Sequence, residues 1–297
     1  MSSSSSSKRS SKTTWLSSLS GFVSQLRSQS QRSQRSARLS FPTGKVLRQC
    51  LSLVLFFGIW QLLCMAKFNF FVSFEFLPSP LEVFHATVEF FTGNAMVHIQ
   101  ASAIRVLVGF SVATILGVSL GILIGWFQKL EDLIFLPLEI LRPIPAVAWI
   151  PLAILMFPTS EAGMIYITFL GAFFPILIST IRGVEGTDVI LLRVGQCLGA
   201  KQWQIFKDIV VPGAMPCIAS GLVIGMGNSW FCLVTAEILA GRYGVGYITW
   251  ESYVTSNYPP IVMGMLLIGL MGLFSTYLVD RLTGLLMPWR ITQKQRT

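Results

Sequence analysis

The chain has 297 residues, of which 53% are apolar and only 12% charged. Soluble domains carry about 25% charged residues, so this composition excludes an ordinary water-soluble globule and points to an all-α protein that crosses the bilayer repeatedly. The net charge of +9 belongs to residues 1–48, which hold nine Lys/Arg and no acid, while the remainder carries thirteen of each sign; such a basic tail does not signal nucleic-acid binding.

Residues 1–43 are serine-rich, basic and poor in apolar side chains, and cannot bury enough surface to fold alone. They read as a disordered cytoplasmic tail; the same composition also resembles an organelle transit peptide. No apolar core follows the first basic residues, as a secretory signal would require. One membrane domain, 44–290, is expected next, then a cytoplasmic tail, 291–297. Six apolar stretches near the ~20 residues needed to span fall at about 46–66, 104–126, 138–157, 162–182, 213–239 and 260–284. Basic residues set the orientation. The N-terminal tail, Lys129, Lys201, Lys207, Arg290, Lys294 and Arg296 fall on one side, which places both termini in the cytoplasm. Lys67, Arg105 and Arg242, with Glu75, Glu82, Glu89, Glu161 and Glu251, fall on the other.

Between the first two spans, Leu81, Phe84, Val88 and Phe91 recur at helical spacing after Leu77-Pro78-Ser79-Pro80. A short helix lying on the outer interface is expected there. Gly117, Gly121 and Gly125, and again Gly221 and Gly225, stand four apart, a spacing that lets helix backbones approach closely in lipid. The five cysteines contain no C-x-x-C pair and read as packing residues; His85 and His98 have no metal-ligand neighbours and read as polar residues outside the membrane.

The segment about 183–211 is too polar to span and too patterned for a linker. Trp203, Phe206 and Ile205 can form an apolar face while Lys201, Gln202 and Lys207 stay solvated. That suits either a short amphipathic helix docking into a partner's groove or an ordinary interfacial helix. Gly199 is followed ten residues later by Ile209-Val210-Val211-Pro212. This G-x9-I-x-[LV]-P spacing resembles the EAA loop of ABC-importer permeases, which docks on the ATPase. The E-A-A positions fall on Arg193-Val194-Gly195, so the family's glutamate is an arginine here. Leu141–Leu152 (LRPIPAVAWIPL), Leu77-Pro78-Ser79-Pro80, Arg105–Phe110 (RVLVGF), Ala236-Glu237 and Gly244–Tyr247 (GVGY) are similar, in order, to segments of the nitrate/sulfonate/taurine (and bicarbonate) permeases.

The resemblance implies a type I ABC-importer permease fold with six transmembrane helices in the bacterial inner membrane. It implies two ATPase subunits, an extracytoplasmic solute-binding protein and a second permease subunit, a homodimer being expected. Arg193, Gly199, Ala200, Trp203, Phe206, Ile209 and Pro212 would form the ATPase-coupling loop. No G-x4-G-K-[ST] phosphate loop is present, since Thr43-Gly44-Lys45-Val46 lacks both the upstream glycine and the hydroxyl residue. The motor is therefore expected on another chain.

Pro143, Pro145 and Pro151 each remove a helix donor from the third span, and freed carbonyls at membrane depth need protein or a water-filled cavity. A broken helix beside the path and a packed kink are the two readings. Candidate path residues are Arg142, Pro143, Pro145, Trp149, Asn228, Thr235 and Glu237. Intramembrane charge also marks Glu139, which can pair with Arg142 three residues on. Glu237 reads as a gate or as the cap of a bend before Gly241, while Asn228, Ser229, Trp230 and Thr235 suit either an oxyanion or helix packing. No cofactor, metal site or catalytic residue is assigned, and no nucleophile–base pair supports an enzyme. The expected cargo is nitrate, bicarbonate, taurine or an alkanesulfonate. The alternatives are an ABC permease for a vitamin precursor and an ion-coupled secondary transporter; the latter calls for midplane ion-coupling groups and usually repeated halves, neither of which stands out.

Overall fold

The computed structural model describes residues 43–66 and 76–287, and among these every regular element is helical. The expectations for most of the N-terminal tail, for residues 291–297, and for Lys67 and Glu75 lie outside the described residues. The chain divides after Trp60 into two compact units. Helix α1 (Thr43–Ala66) covers the first expected span; its continuous apolar part is Val54–Cys64. All that follows concerns the second unit.

Helix α2 (Pro80–Thr92) starts where the Pro-Ser-Pro punctuation puts it. Ser79 and Glu82 form a capping box: the Ser79 N–H donates to Glu82 Oε2 at 2.8 Å, and the Glu82 N–H donates to Ser79 Oγ at 3.4 Å. Only Val83 is buried on it, and the stripe Leu81, Phe84, Val88, Phe91 is exposed.

Four helices are long and apolar enough to cross a membrane: α3 (Ala95–Trp126), α6 (Ser160–Glu185), α8 (Gln202–Ala240) and α10 (Tyr258–Leu285). The third expected span, 138–157, is not one helix. It is a pair, α4 (Gln128–Leu141) and Ala146–Met156, bent by 83°. The second piece is a 3-10 turn, Ala146–Trp149, continued by α5 (Ile150–Met156). By length and composition the described residues thus offer four spans, or five if the bent pair counts as one. The break has a chemical cause. Pro143 and Pro145 supply no N–H, and Pro145 takes an extended conformation (ψ 134°) that ends the helical path. Pro151 differs from the expectation, because it sits in the first turn of α5, where no intrahelical donor is needed.

The bent pair returns the chain across the bundle, so α3 and α6 run parallel. Their contact follows the glycine ladder in register: Gly109 meets Thr168, Gly117 meets Ile176, Gly121 meets Thr180 and Gly125 meets Val184. Helix α8 packs antiparallel on another side of α6, with Gly221 against Ser179 and Gly225 against Ile176. Helix α6, which buries Ile167, Ala172, Ile176, Leu177 and Ile181, is the centre of the core. The expected packing role of the spaced glycines thus holds, and Gly109, two repeats before Gly117 with the buried Ala113 between them, extends the ladder. A Cβ at Gly121 would overlap Thr180, whereas one at Gly269 on α10 meets nothing within 4 Å. Gly121→Val should lower stability by about 1–3 kcal/mol through overpacking, and Gly269→Val should not. Thermal unfolding in detergent compares the two.

Two boundaries move. Helix α3 begins at Ala95 rather than near 104, which brings His98 into the helix and sets Arg105 nearly three turns inside it instead of at its edge. The fifth span starts inside the expected loop, at Gln202, and continues through a π-helical turn at Phe206–Val210 into Val211–Ala240. The Val211 N–H bonds Phe206 O, five residues back, and Pro212 lies in the first turn beyond.

Candidate functional site: cavity, loop 183–211 and buried ion cluster

A cavity of about 540 Å³ opens where the α4–α5 break faces α6 and α8. Arg142, Pro145 and Trp149 line it from the break, and Asn228 from α8. Four of the seven path candidates therefore meet at one place. Ser179 and Arg182 join them from α6; they were not singled out from the sequence, where they fall at the junction of an apolar span and a polar loop. The cavity runs from the middle of α6, at Gly171, toward the end of that helix that carries Arg182. Glu139 and Arg142 form no ion pair among the described residues, and both are exposed; instead they line a smaller, adjoining cavity of about 90 Å³.

The other three candidates lie elsewhere. Pro143 is exposed at the break without lining the cavity, and the Thr235 hydroxyl donates to Phe231 O within its own helix at 3.0 Å. Glu237 is fully buried at the far end of α8. Two further polar residues of α8 are also occupied: Ser229 Oγ donates to Thr168 O at 3.4 Å, and Trp230 Nε1 donates to Ser275 Oγ at 2.7 Å.

Glu237 belongs to an ion cluster at the opposite end of the bundle from the 183–211 loop. Its Oε1 accepts from Ser102 Oγ and from Arg105 Nη1, both at 2.7 Å. Its Oε2 accepts from the Gly246 N–H at 2.9 Å. Arg105 holds Glu161 with two further donors, at 2.7 and 2.5 Å, and donates to Tyr243 O at 2.7 Å. The turn after α8 is seated by the same residues: the Val245 N–H donates to Ser102 Oγ at 3.0 Å and the Gly244 N–H to His98 Nδ1 at 3.2 Å. This turn leads into α9 (Val245–Val254). Gly244 has φ +134°, and a Cβ there would overlap the Glu237 carboxylate, so only glycine allows the approach. Sequence reading placed Arg105 outside and Glu237 alone, because residues 132 apart carry no pairing signal in one chain.

The loop holds two helical pieces. Asp188 caps α7 (Val189–Cys197), its carboxylate accepting the Ile190 N–H at 2.8 Å. The chain turns at Gly199 (φ +78°) and enters α8. The expected apolar face divides: Ile205 is buried and Phe206 packs between Trp126 and Trp203, while Trp203 stays 68% exposed. Gly195 is buried against Ile205 and Ile209, where a Cβ would crowd Ile209. Ala200 and Pro212 are half-buried behind the turn. Arg193 is exposed on α7. Ile190, Val194 and Leu198 are exposed beside it, so the free apolar surface lies on α7 and Trp203 rather than on one helix at 201–208.

A bundle of long apolar helices with a broken span, a charged cavity and a structured loop at one end is a membrane transport subunit. Residues 113–291 match the family of binding-protein-dependent transport system inner membrane components. The chain belongs to that family and is the permease of an ABC importer, a transport component and not an enzyme. It is 33% identical to the nitrate import permease protein of Synechocystis sp. over 254 residues, covering 82% of this chain and 90% of that one. It is 34% identical to the bicarbonate transport system permease protein of Synechococcus elongatus over 190 residues, 64% and 67% of the two chains. A Methanocaldococcus jannaschii protein, which bears the provisional name of an ABC transporter permease protein, is 40% identical over 183 residues, 61% and 68% of the two.

Proposed function

We propose that this permease forms the path for a small oxyanion or organosulfonate, namely nitrate, bicarbonate, taurine or an alkanesulfonate. The observation that carries the reading is the cavity at the α4–α5 break, where Arg142 and Trp149 face Asn228. A guanidinium presents a planar fork of donors that matches a trigonal oxyanion, and the amide adds a neutral donor. The nitrate and bicarbonate relatives support the same class. ATP hydrolysis on a separate chain drives the cycle through α7, the Gly199 turn and Trp203, whose exposed apolar side chains suit a groove on the ATPase. A binding protein delivers the anion from outside, a second copy of the permease closes the path, and both termini face the cytoplasm of a bacterial inner membrane.

The test is uptake of labelled nitrate, bicarbonate, taurine and an alkanesulfonate into proteoliposomes holding the permease, its co-encoded ATPase and its binding protein. ATP-dependent uptake of one of the four is expected. Uptake driven by an ion gradient without ATP would overturn the importer mechanism. ATP-dependent uptake of a vitamin precursor alone would overturn the anion path.

A further inference from the structure

The wall shared by the two cavities carries a second cation that the proposed path has not used. Arg182 lines both the larger and the smaller cavity, as Arg142 does. Arg142 comes from the broken span and Arg182 from the last turn of α6, where the helix C-terminus favours a cation. Among the described residues neither guanidinium makes a hydrogen bond or a contact ion pair, and the charge nearest to act on Arg182 is that of Glu185, three residues on along α6. The carboxylates nearby, Glu139 and Glu185, line only the smaller cavity. The larger cavity therefore has two guanidinium groups and no acid on its described wall, set among apolar side chains such as Phe174, Ile178 and Phe231. Both arginines are exposed, so an anion entering the cavity can reach them.

We infer that Arg182 is a specificity-determining residue of the path, which with Arg142 selects a singly charged oxyanion over neutral and cationic solutes of similar size. The inference rests on the anion reading above and adds a residue and a charge rule to it. Ser179, one turn earlier on α6 and also on the wall, supplies a hydroxyl donor to the same space. A cation entering here meets two like charges, and a neutral solute gains nothing from them.

The experiment compares wild type with Arg182→Gln and Arg182→Lys in the assembled complex. Uptake of the anion that wild type carries, whether nitrate, bicarbonate or an alkanesulfonate, is measured with saturating loaded binding protein, alongside ATP hydrolysis in the same vesicles. Losing a charge-assisted contact should reduce the anion carried per ATP about tenfold in R182Q. Stimulation of ATP hydrolysis by the loaded binding protein should persist, and R182K should recover part of the uptake. Unchanged uptake in R182Q would overturn the role of Arg182 and leave the anion path standing. Equal loss of uptake and of stimulated hydrolysis in both variants would overturn it in favour of a structural role. Wild type carrying none of these three anions would remove the anion path itself, and this inference with it.

Discussion

Replacing Arg105 with alanine is expected to destabilise the permease by about 3–5 kcal/mol, the usual cost of leaving one partner of a buried pair unmatched. The reason lies in the asymmetry of the cluster. Arg105 and Glu237 are almost wholly buried, with side chains 3% and 0% exposed, whereas the Glu161 side chain is 57% exposed. Without the guanidinium, Glu237 keeps only Ser102 and the Gly246 N–H as donors. Glu161, by contrast, can turn to water. Glu161→Gln should therefore cost about 1 kcal/mol or less, in the range of exposed pairs. Substituting both buried partners with methionine should cost less than R105A alone, because no charge is then stranded. Thermal or denaturant unfolding in mild detergent orders the three variants. Equal, small losses in R105A and E161Q would show that Glu237 does not depend on Arg105.

The second large effect is on coupling. Gly199→Val should cut ATP-driven uptake by at least about tenfold while the permease stays inserted and melts near the wild-type temperature. Helix α7 ends in a Schellman motif: the Gly199 N–H donates to Gln196 O, and the Ala200 N–H to Gly195 O, each at 3.0 Å. The motif needs the left-handed conformation at Gly199, which costs an L-residue roughly 1–2 kcal/mol and a β-branched one more. No atom would meet a Cβ there, so the penalty is purely one of backbone conformation and is relieved by re-routing the turn. A re-routed turn changes the angle between α7 and Trp203, the two parts of the proposed docking surface. Normal coupled uptake by G199V would argue against that surface.

The periodic features were legible in the sequence. Helix α2 announced itself by spacing and by Pro80, the long apolar helices by length, and the glycine ladder by its repeat of four, since each signal is local and repeats. The prolines marked the broken span, but not its angle and not the harmless placement of Pro151. Of the residues that line the cavity, Arg142 and Asn228 were conspicuous as polar groups in apolar spans, Pro145 as a helix breaker and Trp149 through the family resemblance. Arg182 and Ser179 were passed over because the end of a span mixes cavity-lining residues with interfacial ones. The Arg105 cluster was hidden for another reason. Its members come from α3, α6, the end of α8 and the turn beyond, and only the parallel packing of α3 and α6 brings them together. Helix α9 gave little signal, being short and set directly behind Gly244.

The continuity of α8 has mechanical meaning. Gln202–Ala240 is one helix with a single π-helical turn. At 1.5 Å per residue, Trp203 stands about 38 Å along it from Asn228 and about 51 Å from Glu237. One lever thus joins the exposed tryptophan of the loop, the wall of the cavity and the buried clamp at the opposite face. A rigid tilt of this helix would move all three together, whereas bending at the π turn, close to the loop end, would move Trp203 apart from the other two.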